Sequence, residues 1–283
     1  MKKETIFLAL FLVVLGLSNT NAQINLGEKA LGAVQKGVAG LTFTNEQAAQ
    51  LSKEAVVKMD AEHVIAGATN PYAIRLKKIF GKHANTNGLN LNYKVYVLKE
   101  VNAFATADGS VRVYSGLMDV MDDNELLVVI GHEIGHVVNK DSRDAIKAAY
   151  QKEALIDGVA SQSGKIAAIT DSQLGKIGSA MIDSKHSRKQ ESEADIFAYD
   201  FMKKNGYNVN AVESAFSILA KMSEGAQMDF LTKMMSSHPD SKERAENAKA
   251  RAQKEGLYKP YIRKMPVAAK PKTTTKKKTT TKK

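Results

Sequence analysis

Residues 125–139 read ELLVVIGHEIGHVVN, and this stretch decides the fold because it is apolar on nearly every side of a helical wheel. A helix of that kind belongs in an interior, not on a surface. Set into it are His132, Glu133 and His136. Burying such groups is costly unless each finds a partner, and an unpaired carboxylate takes up a proton instead. Four residues turn a helix through about 400°, so His132 and His136 project from one face, about 6 Å apart along the axis, with Glu133 about 100° round. Both imidazoles can then reach one metal ion. Glu133 is placed to accept a proton from a water on that ion without itself being a ligand. Gly131 and Gly135 each cost about 1 kcal/mol relative to Ala inside a helix. They predict that another backbone segment or a ligand comes close here.

A catalytic zinc takes three protein ligands and leaves one position for water. The metzincin spacing needs Gly at 139 and His at 142; the chain has Asn139 and Ser142, so that class is excluded. Further on, Glu191-Ser-Glu-Ala-Asp195 lies in a segment of helical spacing, with Glu191 and Asp195 on one face at i, i+4. Glu191 can complete a two-His, one-Glu site for one zinc per chain. Asp195 is then free to accept the N–H of a ligating imidazole and fix its tautomer.

Outward from this helix the body reads as one domain, residues 23–265, with neither an internal repeat nor a Pro/Ser-rich linker. Thr44-Asn-Glu-Gln47 resembles a capping box opening a helix to about Ala66, and a second helix follows Pro71. Leu91 to Leu98, Ala103 to Ala105 and Ser110 to Tyr114 have strand character, the last two around the turn Asp108-Gly109, and together predict one short sheet. From Asp122 the periodicity is helical: 122–139, 141–157, 165–183, 187–204, 209–223, 226–235 and 239–255. The fold class is α+β, mainly helical. His63 and His83 stand in polar contexts and His186 lies off the Glu191 face, so all three are read as non-ligands. The Met residues at 202, 222, 228, 234 and 235 are read as core filling. Residues 141–186 are expected to form a helical hairpin over the cleft, with Gly158 and Gly164 as hinges.

The two ends read differently. Lys2 and Lys3, the apolar run Ile6 to Leu17 and Thr20-Asn21-Ala22 have the three-part build of a cleaved signal peptide, residues 1–22. The run is short of the ~20 residues that cross a bilayer. The protein is therefore expected to be exported, periplasmic or secreted, with no transmembrane span after signal cleavage. Residues 266–283 form a Lys/Thr-rich tail too polar to order itself, with a weak, salt-sensitive contact to anionic envelope surfaces. The formal net charge is +11. Seven Lys lie in the tail, so the body is nearly balanced and no nucleic-acid partner is expected. With no Cys, a disulfide, a thiolate metal site and a catalytic thiol are all excluded.

The runs NAFATADGSVRVYSGLMDVMDDNELLVVIGHEIGH, SRKQESEAD and SHPDSKERAE occur in that order. Over about Val95 to Arg251 the chain resembles the zinc metallopeptidase family of the CAAX prenyl endopeptidase, in its small soluble exported branch. The resemblance implies a zincin-like fold with a small sheet whose edge strand flanks the active-site helix. It implies zinc on His132, His136 and Glu191, Glu133 as general base and acid, and Asp195 behind the ligands. It also implies a role for His238 at the metal, either oxyanion stabilisation or capping of a resting zinc, with Arg244 following. Asn102, Ala103, Phe104 and Ala105 resemble the family's edge strand, beside which a polypeptide substrate lies extended. The implied activity is zinc-dependent endopeptidic hydrolysis of exported or envelope proteins. From a different class, a chaperone-like or scaffold protein of the envelope with a silent, closed zinc site shares every motif and differs only in turnover.

Overall fold

The computed structural model describes residues 44–86, 88–156, 169–224, 234 and 236–266. The expected signal segment, Gly158 and Gly164, the helix expected at 226–235 except residue 234, and nearly all of the tail lie outside these residues.

Thr44 opens α1 (Asn45–Glu62) with the expected capping box: Gln47 N–H donates to Thr44 Oγ1 at 3.2 Å and Thr44 N–H to Gln47 Oε1 at 2.8 Å. The helix ends at Glu62 and not near Ala66. Ala66 N–H donates to the carbonyl of Val95 and Val97 N–H to that of Val64, so residues 64–66 run along a strand instead. Helix α2 (Pro71–Phe80) begins with Pro at its first position and Asn70 as cap.

Two sheets follow where one was expected. The first is a small antiparallel pair, β1 (Asn85–Thr86) and β2 (Leu89–Asn90). The second contains β3 (Asn92–Tyr96), β4 (Ala103–Ala105) and β5 (Ser110–Tyr114) in the order β3-β5-β4, with β3 parallel and β4 antiparallel to β5. Gly109 turns β4 into β5 at φ 83°, and a Cβ there would stand 2.7 Å from the Asn90 carbonyl oxygen. Only glycine fits both demands.

Helix α3 (Ser115–Val120) was not anticipated; it leads into α4 (Asp123–Val138). Then come α5 (Asp141–Ile156), α6 (Asp171–Ile182), α7 (Arg188–Lys204), α8 (Ala211–Ser223) and α9 (Ser241–Lys254). No helix among the described residues is long and apolar enough to cross a membrane.

The period-two alternation of the sheet divides the interior into two cores. Val95, Ala103, Ala105, Val111 and Val113 face a core built around α4, with α2, α7 and α8. Tyr96, Phe104 and Tyr114 face a second core with α1, α5 and α6. Arg112 of β5 is buried with the second face and forms two hydrogen bonds, 2.8 and 2.9 Å, to Asp60 of α1. After α9 the chain runs back irregularly to the start of α4. There Tyr261 Oη donates to the Asp122 carboxylate at 2.8 Å, and Arg263 pairs at 2.8 Å with Glu125, which is fully buried. Sequence periodicity gives no sign of this return, because it has no regular structure.

Candidate active site

Helix α4 is buried from Glu125 through His136, as its composition requires. Asp122 caps it, accepting from Asn124 and Glu125 N–H, while Glu125 returns a carboxylate to Asp122 N–H. Helix α7 is capped in the same way by Ser187 and Gln190. The two helices pack closely because small residues meet: a Cβ on Gly135 would stand 3.0 Å from Ala194 Cα and 3.1 Å from the Ala194 carbonyl oxygen. The backbone segment that Gly131 and Gly135 anticipated is therefore α7 itself, the helix carrying Glu191 and Asp195.

This packing brings four candidate groups together. Donor atoms of His132, His136, Glu191 and His238 all lie within 4.8 Å of one another. The two Nε2 atoms of His132 and His136 are 3.0 Å apart, His132 Nε2 is 3.2 Å from His238 Nδ1, and His238 Nδ1 is 2.9 Å from Glu191 Oε1. On the far side of each imidazole stands a carboxylate: His132 Nδ1 lies 2.9 Å from Asp195, and His136 Nδ1 lies 2.9 Å from Asp141. Each Nδ1–H is thereby taken, so the Nε2 lone pairs converge. Two acceptors at that separation repel unless a positive charge lies between them, which is the condition a divalent cation satisfies. Both His and carboxylate are ordinary zinc ligands, so the donor set fits that metal.

The electrostatics agree. Burial, with the Arg244 cation nearby, pushes His132 down to about 3. For His136 burial acts downward too, but hydrogen bonds to Asp141 and Glu191 outweigh it and raise the group to about 9. Burial opposes ionisation of Glu191, yet its bonds to His136 and His238 hold it well below the usual carboxylate range. Glu133 is pushed upward by burial, and its Oε1 has no hydrogen-bond partner. His238 Nε2 lies 3.6 Å from it. Arg244, itself buried, forms two bonds with Asp195 at 2.6 and 2.9 Å and approaches Glu191 to 2.9 Å.

Asn102 to Ala105 line the cavity into which Glu133, His136 and His238 open, opposite Ser142 and Ala145 of α5 and Met181 and Ile182 of α6. Both helices of the expected hairpin thus border the cleft. Three findings add to the sequence reading. His186, read as lying off the Glu191 face, stacks its ring on that of His136 at 3.9 Å between centroids. His83 is not in a polar context but buried, donating to or accepting from Tyr207 Oη at 2.7 Å beside Phe201. The helix expected from residue 239 starts at Ser241, after Asp240 in a left-handed conformation. Asp141 was missed altogether. Lys140, at φ 71°, reverses the chain after α4 and returns Asp141 to His136, and a non-glycine residue in that conformation carries no sequence signal.

Comparison with known proteins gives a consistent picture. Residues 73–252 match peptidase family M48. The metalloprotease LoiP of Escherichia coli (strain K12) is 40% identical over 217 residues, 76% of this chain and 84% of the relative. The metalloprotease YcaL of the same organism is 38% identical over 234 residues, 82% of this chain and 88% of the relative. A protein of Vibrio cholerae described as a beta-barrel assembly-enhancing protease is 26% identical over 181 residues, 60% of this chain and 36% of the relative.

Proposed function

The chain belongs to peptidase family M48 and is a zinc-dependent metalloendopeptidase, and on that footing we propose that His132, His136 and Glu191 hold one zinc ion and that Glu133 is the general base. The observation that carries this assignment is the convergence of both Nε2 lone pairs with Glu191, each imidazole being held from behind by a carboxylate. Zinc bound there supplies Lewis-acid polarisation of the scissile carbonyl and lowers the pKa of water.

The remaining chemistry belongs to the chain. Glu133, buried and with an unpartnered oxygen, takes the proton of the attacking water and returns it to the leaving amine. Asp195 and Asp141 keep the imidazoles oriented, and Arg244 keeps Asp195 ionised beside them. His238, within bonding distance of Glu191 and His132, caps the site in this conformation. Asn102 to Ala105 receive the polypeptide as an added strand, and α5 and α6 cover it.

Export, and substrates among exported or envelope proteins, complete the proposal. The support is the signal-like segment 1–22 and the Vibrio relative described as a beta-barrel assembly-enhancing protease. Residues 23–265 form the catalytic body in this reading, and the basic tail touches anionic surfaces weakly.

The test is metal analysis together with a proteolysis assay on wild type and Glu133→Gln. Glu133→Gln should keep its zinc and its fold and lose about 100-fold or more in kcat. His132→Ala should lose the metal as well. A Glu133→Gln protein that cleaved at the wild-type rate would overturn the assignment of the base.

A further inference from the structure

Strand β4 is the outermost strand of its sheet, yet Asn102, Ala103, Phe104 and Ala105 are all buried. An outermost strand leaves half of its main-chain groups facing away from the sheet. Tyr114 N–H donates to Asn102 O at 3.0 Å and Thr106 N–H donates to Ser110 O at 3.0 Å. The antiparallel alternation then makes Phe104 and Arg112 a bonded pair and turns the N–H and C=O of Ala103 and Ala105 outward, toward the cleft.

Two of those outward groups already have side-chain partners. Ala103 N–H donates to Asn102 Oδ1 at 2.9 Å, and Ser142 Oγ donates to the Ala105 carbonyl at 3.0 Å. Ser142 lies in the first turn of α5 and is buried. The cavity between β4, Glu133, His136, Met181 and Ile182 measures about 20 Å³, room for roughly one water and not for a peptide residue.

We infer that Ser142 is a place-holder for the substrate's main chain: its hydroxyl makes, at Ala105 O, the hydrogen bond that a substrate N–H makes when an extended polypeptide adds to β4. The inference rests on the proposed role of Asn102 to Ala105. It accounts for a buried carbonyl at the edge of a sheet being satisfied without substrate, where an unmade bond would be costly. It also makes this conformation closed toward substrate. Asp141, the residue before Ser142, holds His136, so the start of α5 stays with the metal site while the hydroxyl turns away and Met181 and Ile182 draw back. Substrate thus competes with the Ser142 hydroxyl for the Ala105 carbonyl, and the ligand set is undisturbed.

The experiment uses fluorescein-labelled casein as an unstructured polypeptide probe on the full zinc-loaded chain. Binding is measured by anisotropy in the Glu133→Gln background, and KM and kcat in the active background, for Ser142, Ser142→Ala and Ser142→Thr. Removing the competing hydroxyl should lower Kd and KM by about three- to tenfold with kcat little changed, and Ser142→Thr, which keeps the hydroxyl, should restore the original values. Unchanged or raised Kd and KM in Ser142→Ala, or a fall in kcat and melting temperature together, would overturn the place-holder role and leave Ser142 a structural residue. If the wild type neither binds zinc nor cleaves casein, the enzymatic assignment fails and this inference with it; a zinc-bound, active wild type with an indifferent Ser142→Ala removes this inference alone.

Discussion

The Nε2 atoms of His132 and His136 face each other across 3.0 Å while their Nδ1 atoms are held at 2.9 Å by different carboxylates, Asp195 and Asp141. Each imidazole is therefore clamped from behind by a separate element, one by α7 and the other by the start of α5. The orientation of the pair depends on how three helices pack and not on α4 alone.

Asp141 should matter to the metal as much as Asp195 does. Asp141→Ala removes the acceptor at His136 Nδ1 and should weaken zinc binding by about 10- to 100-fold, as loss of an orienting carboxylate commonly does. Competition with a chromogenic chelator measures this directly. Wild-type zinc affinity in Asp141→Ala would show that the stacked His186 ring alone orients His136.

Gly135 should tolerate no side chain. A Cβ there meets Ala194 Cα at 3.0 Å and Phe197 Cβ at 3.1 Å, so Gly135→Ala forces α4 and α7 apart by a few tenths of an ångström. Overpacking of this kind costs about 1–3 kcal/mol, and here it also separates His132 and His136 from Glu191. Thermal unfolding should show the loss of stability, and zinc affinity should fall with it. A Gly135→Ala protein as stable as wild type, with its zinc affinity intact, would show that the helix pair is looser than its contacts indicate.

Asp60 should contribute an acid-sensitive part of the stability. Burial acts upward on its pKa, but bonds from Arg112, Lys94 and Tyr96 outweigh it and bring the group down to about 2 from 3.8. A depressed folded-state value means the contribution is complete above pH ~4 and is lost as the pH falls from ~4 toward ~2. Asp60→Asn leaves buried Arg112 without its counter-charge and should cost about 3 kcal/mol at neutral pH. The difference in unfolding free energy between wild type and variant should shrink steadily below pH 4. A difference independent of pH would contradict this.

Arg263 should anchor the active-site helix. It supplies the charge partner of Glu125, which is fully buried at the first turn of α4. Arg263→Ala leaves that carboxylate to Ser214 and the Asp122 N–H, and should destabilise by about 3 kcal/mol. Urea unfolding is the measurement, and a loss below about 0.5 kcal/mol, typical of an exposed pair, would deny the anchoring role.

Much of the fold was legible because it is written in local patterns. The apolar run of α4, the capping box at Thr44, the first-turn Pro71 and the Asp108-Gly109 turn each express a preference of a few neighbouring residues, and each element appears within a few residues of where those preferences put it. The misses share the opposite character. Helix α1 ends early because residues 64–66 pair with β3, and His83 is buried because Tyr207 and Phe201 close over it. The hydrophobic pattern around either residue carries no trace of its distant partner.

The sequence by itself determined that one buried helix presents two imidazoles on one face with a carboxylate between them, because a helical repeat converts a spacing of four into a shared direction. It also supplied Glu191 and Asp195 on one face of a second helix. Only the tertiary structure decided that these faces meet at hydrogen-bonding distance, that Asp141 and Arg244 complete the surroundings, and that Ser142 occupies the edge of β4. Those contacts join residues brought together by the packing of two cores against one sheet. Their energy depends on separations of a few tenths of an ångström, which no local rule of spacing encodes.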